Sequence, residues 1–333
     1  MKRDILRFLR ESGDGFVSGQ MICEHFGVSR QAVWKNVAQL KEMGYCIESV
    51  SNRGYRLVKE PDILYAPDLE SRFKDGGFFK KVLCYDEVDS TNTLVKRLAE
   101  EGEDEGVMVL AEHQTAGKGR RGRSWSSEKD AGIFMSFLLR PSLEPMHISG
   151  LTLVAALALT AALKDVYRSE PKIKWPNDVV LGNKKICGIL TEMSSELNVI
   201  NYAVAGIGIN VNNDRFPKEI AETATSLLIE TGERKNRAEI VAAFAEWFPI
   251  YYNKYLKTGD LSELKDEYNS RLANKGKQVQ IFHGMIEECT SDKMETGIAV
   301  GIDNDGALIV DTDKGRKSVV SGEVSVRGLY GYV

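Results

Sequence analysis

"TAGKGRRGRSW", residues 115–125, places Lys118, Arg120, Arg121 and Arg123 among three glycines with no acidic side chain between them. Such a run can bind nucleic acid, cradle phosphates or lie in solvent as a surface loop. Its flanks decide where it sits. "VMVLA" (107–111) ahead of it and "IFMSFLL" (133–139) behind it are apolar runs of strand length. The basic segment is therefore a loop between two strands of one sheet.

Further β runs lie at 82–85, 173–175, 186–193 and 202–209, and helical stretches at 93–101, 146–167 and 237–256. Alternation in "ICGILTEM" (186–193) and "YAVAGIGINV" (202–211) predicts antiparallel neighbours packed by helices on one side. The expected fold of this region is α+β around a mixed sheet. No Gly-x-Gly-x-x-Gly turn opens a helix and no P-loop pattern occurs, so neither a dinucleotide fold nor a P-loop is indicated. The longest apolar run, 148–163, is broken by Ser149, Gly150, Thr152 and Thr160 and suits a buried helix better than a membrane span.

The first sixty residues read differently. Ile5, Leu6, Phe8 and Leu9 give one apolar helical face; Ser18 can cap a second helix that Gly27 stops. Ser29 then caps a third, with Ala32, Val33, Val37, Leu40 and Met43 at core spacing. "CIESVSNRGYRLV" (46–58) follows as a hairpin tipped by Arg53. This is the pattern of a winged helix-turn-helix. Ser29, Arg30, Gln31, Lys35 and Asn36 on the third helix, with Arg53 on the wing, are the expected DNA contacts. Residues 1–60 hold ten Lys/Arg against seven Asp/Glu while the whole chain is at −4, so the basic surface is local to this unit.

Five scattered cysteines, Cys23, Cys46, Cys84, Cys187 and Cys289, show no C-x-x-C spacing. They predict reduced thiols and a cytoplasmic protein without a zinc site or disulfide frame. "EPDILYAP" (60–67) reads as a linker, and strands punctuated by Asp-Asn-Asp-Gly and Lys-Gly turns from Lys277 onward read as a small SH3-like β-barrel. The expected domains are thus 1–62, 63–274 and 275–333.

"DSTN" (89–92), "GKGRRGRSW" (117–125), "KWPND" (174–178), "KKICGIL" (184–190) and "GIGIN" (206–210), in this order behind a winged helix, resemble biotin protein ligase. The likeness is to the bifunctional kind that also represses the biotin operon, and it spans nearly the whole chain. It implies ATP-dependent activation of biotin to biotinyl-5'-AMP, then transfer to one lysine of a biotin carboxyl carrier protein. It also implies operator DNA as a partner, biotinyl-AMP as corepressor, a ligand-promoted homodimer, and Mg²⁺ beside ATP.

The resemblance assigns residues too. Lys185 and Arg120 become the catalytic cations, since an anion must approach an anionic phosphate. Ser90, Thr91, Asn92, Gln114, Lys118, Gly119, Arg120, Lys185 and Gly188 become the biotin site, matching a ureido ring with hydroxyls and amides in an apolar cleft. Arg120, Arg121, Arg123, Trp125, Lys174, Asn177 and Asn210 go to ATP and the adenylate, and Asp178 to Mg²⁺. The basic loop is then an adenylate-binding loop that ligand orders. At Lys118 the chain departs from the family, where Arg is frequent; Lys keeps the charge but loses the bidentate fork, which implies a looser hold on the adenylate. Two other functions compete: a non-catalytic small-molecule-sensing transcription factor, and a lipoate- or octanoate-type protein ligase.

Overall fold

Ser18 accepts the Met21 amide at 3.0 Å and Ser29 the Ala32 amide at 3.2 Å, so each caps a helix. In this computed structural model, which describes residues 1–168, 170–197, 199–283, 294–321, 324–328 and 332–333, these helices are α2 (Gly19–Phe26) and α3 (Arg30–Glu42). They follow α1 (Lys2–Glu11). Gly27 ends α2 at φ 64°, in the left-handed region, and so makes the tight turn into α3. β1 (Cys46–Val50) and β2 (Gly54–Lys59) pair antiparallel as the wing, with Arg53 at its tip lying 4.3 Å over the Phe16 ring. Ile5, Leu6, Leu9, Ile22, Val33, Val37 and Leu40 close the core of this unit. α3 leaves Arg30, Gln31 and Lys35 in solvent. Asn36 was expected beside them but is half-buried, because its amide donates to the Ala32 carbonyl of its own helix at 2.8 Å.

The stretch 60–67 is not a free linker. α4 (Ala66–Arg72) begins inside it, and Leu64 and Leu69 join the central core. Arg7 of α1 donates to the Glu70, Ser71 and Phe73 carbonyls at 3.1, 3.1 and 2.9 Å, which finishes the C-terminal turn of α4. Arg10 pairs with Glu60 and with Asp68, a carboxylate only 2% exposed. The winged helix is therefore fastened to the next unit by guanidinium groups.

That unit is a seven-stranded sheet. Its strands are β3 (Lys81–Val88), β4 (Val107–Gln114), β5 (Gly132–Leu139), β6 (Lys172–Lys174), β7 (Asp178–Leu181), β8 (Lys184–Glu196) and β9 (Val199–Asn210), and their order is β3-β4-β5-β9-β8-β7-β6. Only β3 and β4 run parallel; every other pair is antiparallel, as the alternation required. Side chains alternate faces along each strand. Met135, Phe137, Ile189, Ala205, Ile207 and Ile209 point to the face covered by α6 (Gly150–Tyr167) and α8 (Arg237–Thr258). The apolar run of α6 is long enough to cross a membrane but is buried in this core. α5 (Thr91–Glu100) covers part of the opposite face through Val95, Ala99, Val109, Leu138 and Val204. The rest of that face is left for the site.

Two short helices, α7 (Leu227–Thr231) and α9 (Lys265–Arg271), were not anticipated from sequence, nor was β7. A five-stranded antiparallel sheet ends the chain, with β10 (Gln278–His283), β11 (Met294–Ile302), β12 (Leu308–Thr312), β13 (Gly315–Val319) and β14 (Val324–Gly328) ordered β13-β12-β11-β10-β14. It meets the central unit where the Trp175 indole donates to the Gly306 carbonyl at 2.9 Å. Cys23, Cys46, Cys84 and Cys187 are free thiols; Cys289 lies outside the described residues.

Candidate active site

Glycine builds the floor. Gly188 on β8 and Gly208 on β9 face each other across the ladder, and Gly206 lies two residues back on the same side. A Cβ on Gly188 would stand 2.8 Å from the Trp125 ring and one on Gly208 2.5 Å from it, so the indole lies directly on bare backbone. A Cβ on Gly206 would stand 1.9 Å from Asn92 Oδ1. Strand alternation brings Ser136 of β5 and Leu190 and Glu192 of β8 to this same face.

One end of the pocket is polar and uncharged. Ser90 holds the N-cap position of α5, but its hydroxyl makes no capping bond. Plain helix capping, the ordinary role for "DSTN", is therefore not what the side chain does. Gln114 Oε1 accepts the Thr91 amide at 2.9 Å and lies 3.1 Å from the Thr91 hydroxyl. Asn92 donates to Glu192 at 2.8 Å, and its Oδ1 lies 2.6 Å from the buried Ser136 hydroxyl. Ser90, Thr91 and Asn92 are each under 5% exposed, so their positions are fixed before any ligand arrives.

The other end carries the cations. The basic loop folds back as a small hairpin: Lys118 bridges Ser124, Gly119 N–H donates to Arg123 at 2.7 Å, and Trp125 N–H donates to Gly117 at 2.9 Å. Arg120 turns inward. Its guanidinium donates to Asn177 Oδ1 at 3.0 Å and to the Ser321 carbonyl of the C-terminal unit, and burial pushes its pKa down. Lys185 Nζ lies 2.7 Å from Asp178 Oδ1 and 5.3 Å from the Trp125 ring centroid, and the Tyr332 hydroxyl donates to Asp178 Oδ2 at 2.5 Å. A register shift in the β7–β8 pairing at Val179/Val180 is what aims Lys185. Lys185 and Gly188 are three residues apart and would otherwise face opposite sides; the bulge restores them to one side.

Ser90, Thr91, Asn92, Gln114, Lys118, Gly119, Arg120, Trp125, Asn177, Lys185 and Gly188 all line this one pocket. Five expected residues do not. Arg121 and Arg123 stand exposed on the loop. Lys174 is buried with its ammonium 3.4 Å over the Tyr332 ring. Asn210 turns its amide to the Thr225 carbonyl at 3.1 Å, and Asp178 sits behind Lys185.

Comparison with known proteins settles the family. Residues 85–210 match the profile of the biotin/lipoate A/B protein ligase family, residues 2–56 a helix-turn-helix domain, and residues 289–327 the biotin protein ligase C-terminal domain. The chain is 34% identical to the bifunctional ligase/repressor BirA of Bacillus subtilis over 98% of both chains. It is 30% identical to that of Escherichia coli over 94% of this chain and 93% of that one. This chain belongs to the bifunctional biotin ligase/repressor family. The biotin protein ligase of Aquifex aeolicus, solved with biotin and ATP, superposes with a TM-score of 0.64 at 32% identity, covering 75% of this chain and all of that one.

Within this bifunctional ligase fold, Gly206, Gly208, Ile189, Leu190 and Ile207 also line the pocket. Sequence reading singled out "GIGIN" but drew only Asn210 from it. The signal was there, since two glycines at alternate positions of a buried strand mark a close approach by something flat. Ser136, a single polar residue in an apolar run, carried no such signal, and Glu192 stood among the polar residues that end its strand. Cys187 is fully buried and burial pushes its thiol well above the ordinary range, so it supplies no thiolate.

Proposed function

We propose that this pocket activates biotin with ATP to biotinyl-5'-AMP and passes the biotinyl group to one lysine of a biotin carboxyl carrier protein. One observation carries this: a glycine-floored slot joins a fixed uncharged polar end to an end where Lys185 and Arg120 flank Asn177 and Asp178. The polar end fits a ureido ring, and the bare Gly188 and Gly208 backbone on which the Trp125 indole lies would take a flat thiophane ring and a valeryl chain once that indole moves aside. The carboxylate at the tail then reaches the cations. There it attacks the α-phosphate, the bond to the β-phosphate breaks, and pyrophosphate leaves. Lys185 and Arg120 neutralise the charge gathering between carboxylate and phosphate. Arg121, Arg123 and Asn177 would serve the nucleotide. In the second step the acceptor amine, having lost its proton, attacks the biotinyl carbonyl and AMP leaves. Among the described residues the site offers no nucleophile of its own, so positioning and charge carry the rate.

Mg²⁺ would accompany ATP. Among the described residues no group of three metal-ligating side chains occurs. A single carboxylate beside substrate phosphates fits the way this ion is held; Asp178, whose oxygens face Lys185 and Tyr332, would have to release one of them to do so. The C-terminal sheet, which we read as a small SH3-like barrel, meets the site through Arg120 and Ser321.

The winged helix makes the protein a repressor as well. Arg30, Gln31 and Lys35 would meet operator DNA in the major groove and Arg53 the adjacent backbone. Biotinyl-AMP as corepressor, acting through a ligand-promoted homodimer in the cytoplasm, completes the reading. A lipoate- or octanoate-type ligase has no use for the preset hydroxyl and amide groups, and a mere sensor has no use for Lys185.

ATP–pyrophosphate exchange that depends on biotin is the test, with operator binding measured alongside. Exchange is expected with biotin and absent with lipoate or octanoate; exchange with lipoate alone would overturn the biotin assignment. Operator affinity is expected to rise when biotin and ATP are both present. Gly206→Ala drives a methyl group into Asn92 and is expected to raise the KM for biotin at least tenfold with little change in kcat. An unchanged KM would mean that Asn92 takes no part in recognition.

A further inference from the structure

The Thr91 hydroxyl reaches the pocket with its one proton already committed inside the protein. The cause lies three side chains away. Glu192 on β8 receives Lys96 Nζ at 2.6 Å on one oxygen and Asn92 Nδ2 at 2.8 Å on the other. Burial pushes the Glu192 carboxyl up, but these two hydrogen bonds outweigh it and hold the group below its usual range. An ionised carboxylate only accepts, so Asn92 must give it Nδ2, which reaches the Leu190 carbonyl more weakly at 3.4 Å, and turn Oδ1 away. Oδ1 then lies 2.6 Å from Ser136 Oγ, and Ser136 must donate there. With that proton used, the 2.7 Å contact between the Ser136 and Thr91 hydroxyls has to be donated by Thr91. The remaining neighbour of the Thr91 hydroxyl, Gln114 Oε1 at 3.1 Å, is an acceptor too. Toward the pocket Thr91 has only lone pairs to offer. Gln114, its oxygen engaged with Thr91, turns its NH₂ to Ser127 Oγ at 3.5 Å and has a second N–H left.

We propose that Glu192 is a specificity-determining positioning residue: through Asn92 and Ser136 it fixes Thr91 as an acceptor, so the pocket takes a ligand with an N–H at that place and rejects an isostere with a lone pair there. This rests on the biotin reading, in which the N–H is one of the two on the ureido ring. Glu192 touches no ligand atom. It acts by setting the direction of a chain of hydrogen bonds in which the Ser136 and Thr91 hydroxyls each have one proton to give.

The probes are biotin and two cyclic carbamates, each with one ureido N–H replaced by ring oxygen. Binding is measured by calorimetry and turnover by pyrophosphate exchange. Wild type is expected to bind biotin at least a hundredfold more tightly than one of the carbamates, because a lone pair would there face a lone pair. In Glu192→Gln, Lys96 keeps the amide oxygen and the NH₂ faces Asn92, which flips. Ser136 then donates to Thr91, and the Thr91 proton, no longer needed by Ser136, is shared between Gln114 Oε1 at 3.1 Å and the ligand. The preference is expected to fall about tenfold, with kcat for biotin within about threefold of wild type. Lys96→Met leaves the carboxylate in place and is expected to keep the preference.

Thr91→Val removes the lone pairs at the end of the chain. Glu192→Gln added to it is expected to cost nothing further, since both act on one bond. A preference unchanged in Glu192→Gln, or effects that multiply in the double variant, would overturn the relay. If Glu192→Gln melts early, Glu192→Ala, which lets Asn92 turn either way, is read by the same criterion. A wild-type protein that binds biotin without discriminating against either carbamate overturns the relay alone. One that binds neither biotin nor the carbamates overturns the ligase reading with it.

Discussion

Lys185→Ala is expected to keep biotin bound while adenylation falls by about a thousandfold, the scale on which one preorganised charge or donor at a reacting oxygen counts. The split follows from geometry. Recognition sits with Ser90, Thr91, Asn92 and Gln114 at the far end of the slot, so the Kd for biotin is expected to stay within about threefold of wild type. The lysine acts only where negative charge meets negative charge. Its ammonium is held by Asp178 and lies near the Trp125 ring, and Asp178 is itself held by Tyr332. It therefore needs little reorganisation when the carboxylate and phosphate arrive. Lys185→Arg keeps the charge on a longer, flatter group and is expected to recover part of the rate. Pyrophosphate exchange at saturating biotin, with thermal melts to confirm folding, is the measurement. Activity of the alanine variant within tenfold of wild type would remove Lys185 from the chemistry.

The second large effect concerns stability. Arg237, at the first position of α8, is 1% exposed. Its guanidinium donates to the Asp62 carboxylate at 3.1 and 3.2 Å, to the Glu112 carboxylate, and to the Asp62 and Gly132 carbonyls at 3.0 and 3.1 Å. Asp62 in turn accepts the Arg237 backbone amide at 2.9 Å and so caps α8. Arg237→Ala strands two carboxylates and two carbonyls around an empty volume. The expected cost is about 3–5 kcal/mol in urea or thermal unfolding, the range for breaking a buried ion pair by removing one partner. Asp62 keeps some contact with water, which favours the lower end. A loss under about 1 kcal/mol would mean that water replaces the guanidinium.

Arg237 also marks where sequence reading stops. The helix over 237–256 was legible from its apolar spacing, but nothing in that spacing says that its first arginine faces inward toward Asp62 and Glu112, 175 and 125 residues away. Local pattern found six of the seven central strands, the caps at Ser18 and Ser29, and the basic loop, because each is written in neighbouring residues. It placed Lys185 at the start of a strand without its direction, since the bulge that aims it arises in the pairing with β7. It read 60–67 as a tether because two prolines look like one. In the fold, Glu60 and Asp62 instead find arginines that lie far away in sequence. Asn36 was misjudged for a smaller reason: an asparagine on a helix surface can satisfy itself on the preceding turn.

Arg7 holds the last carbonyls of a helix that belongs, by its core, to the enzyme. This sets the terms on which the two halves can part company in evolution. A descendant that discarded gene regulation by losing residues 1–59 would leave α4 unfinished and the acidic pair Glu60 and Asp68 without Arg10. Arg72 would remain to them. Such a lineage would have to rewrite the surface of its ligase before, or together with, the loss. The repressor half thus doubles as a scaffold for the ligase, and selection on biotin attachment alone would act against its loss even where no operator remained to be bound.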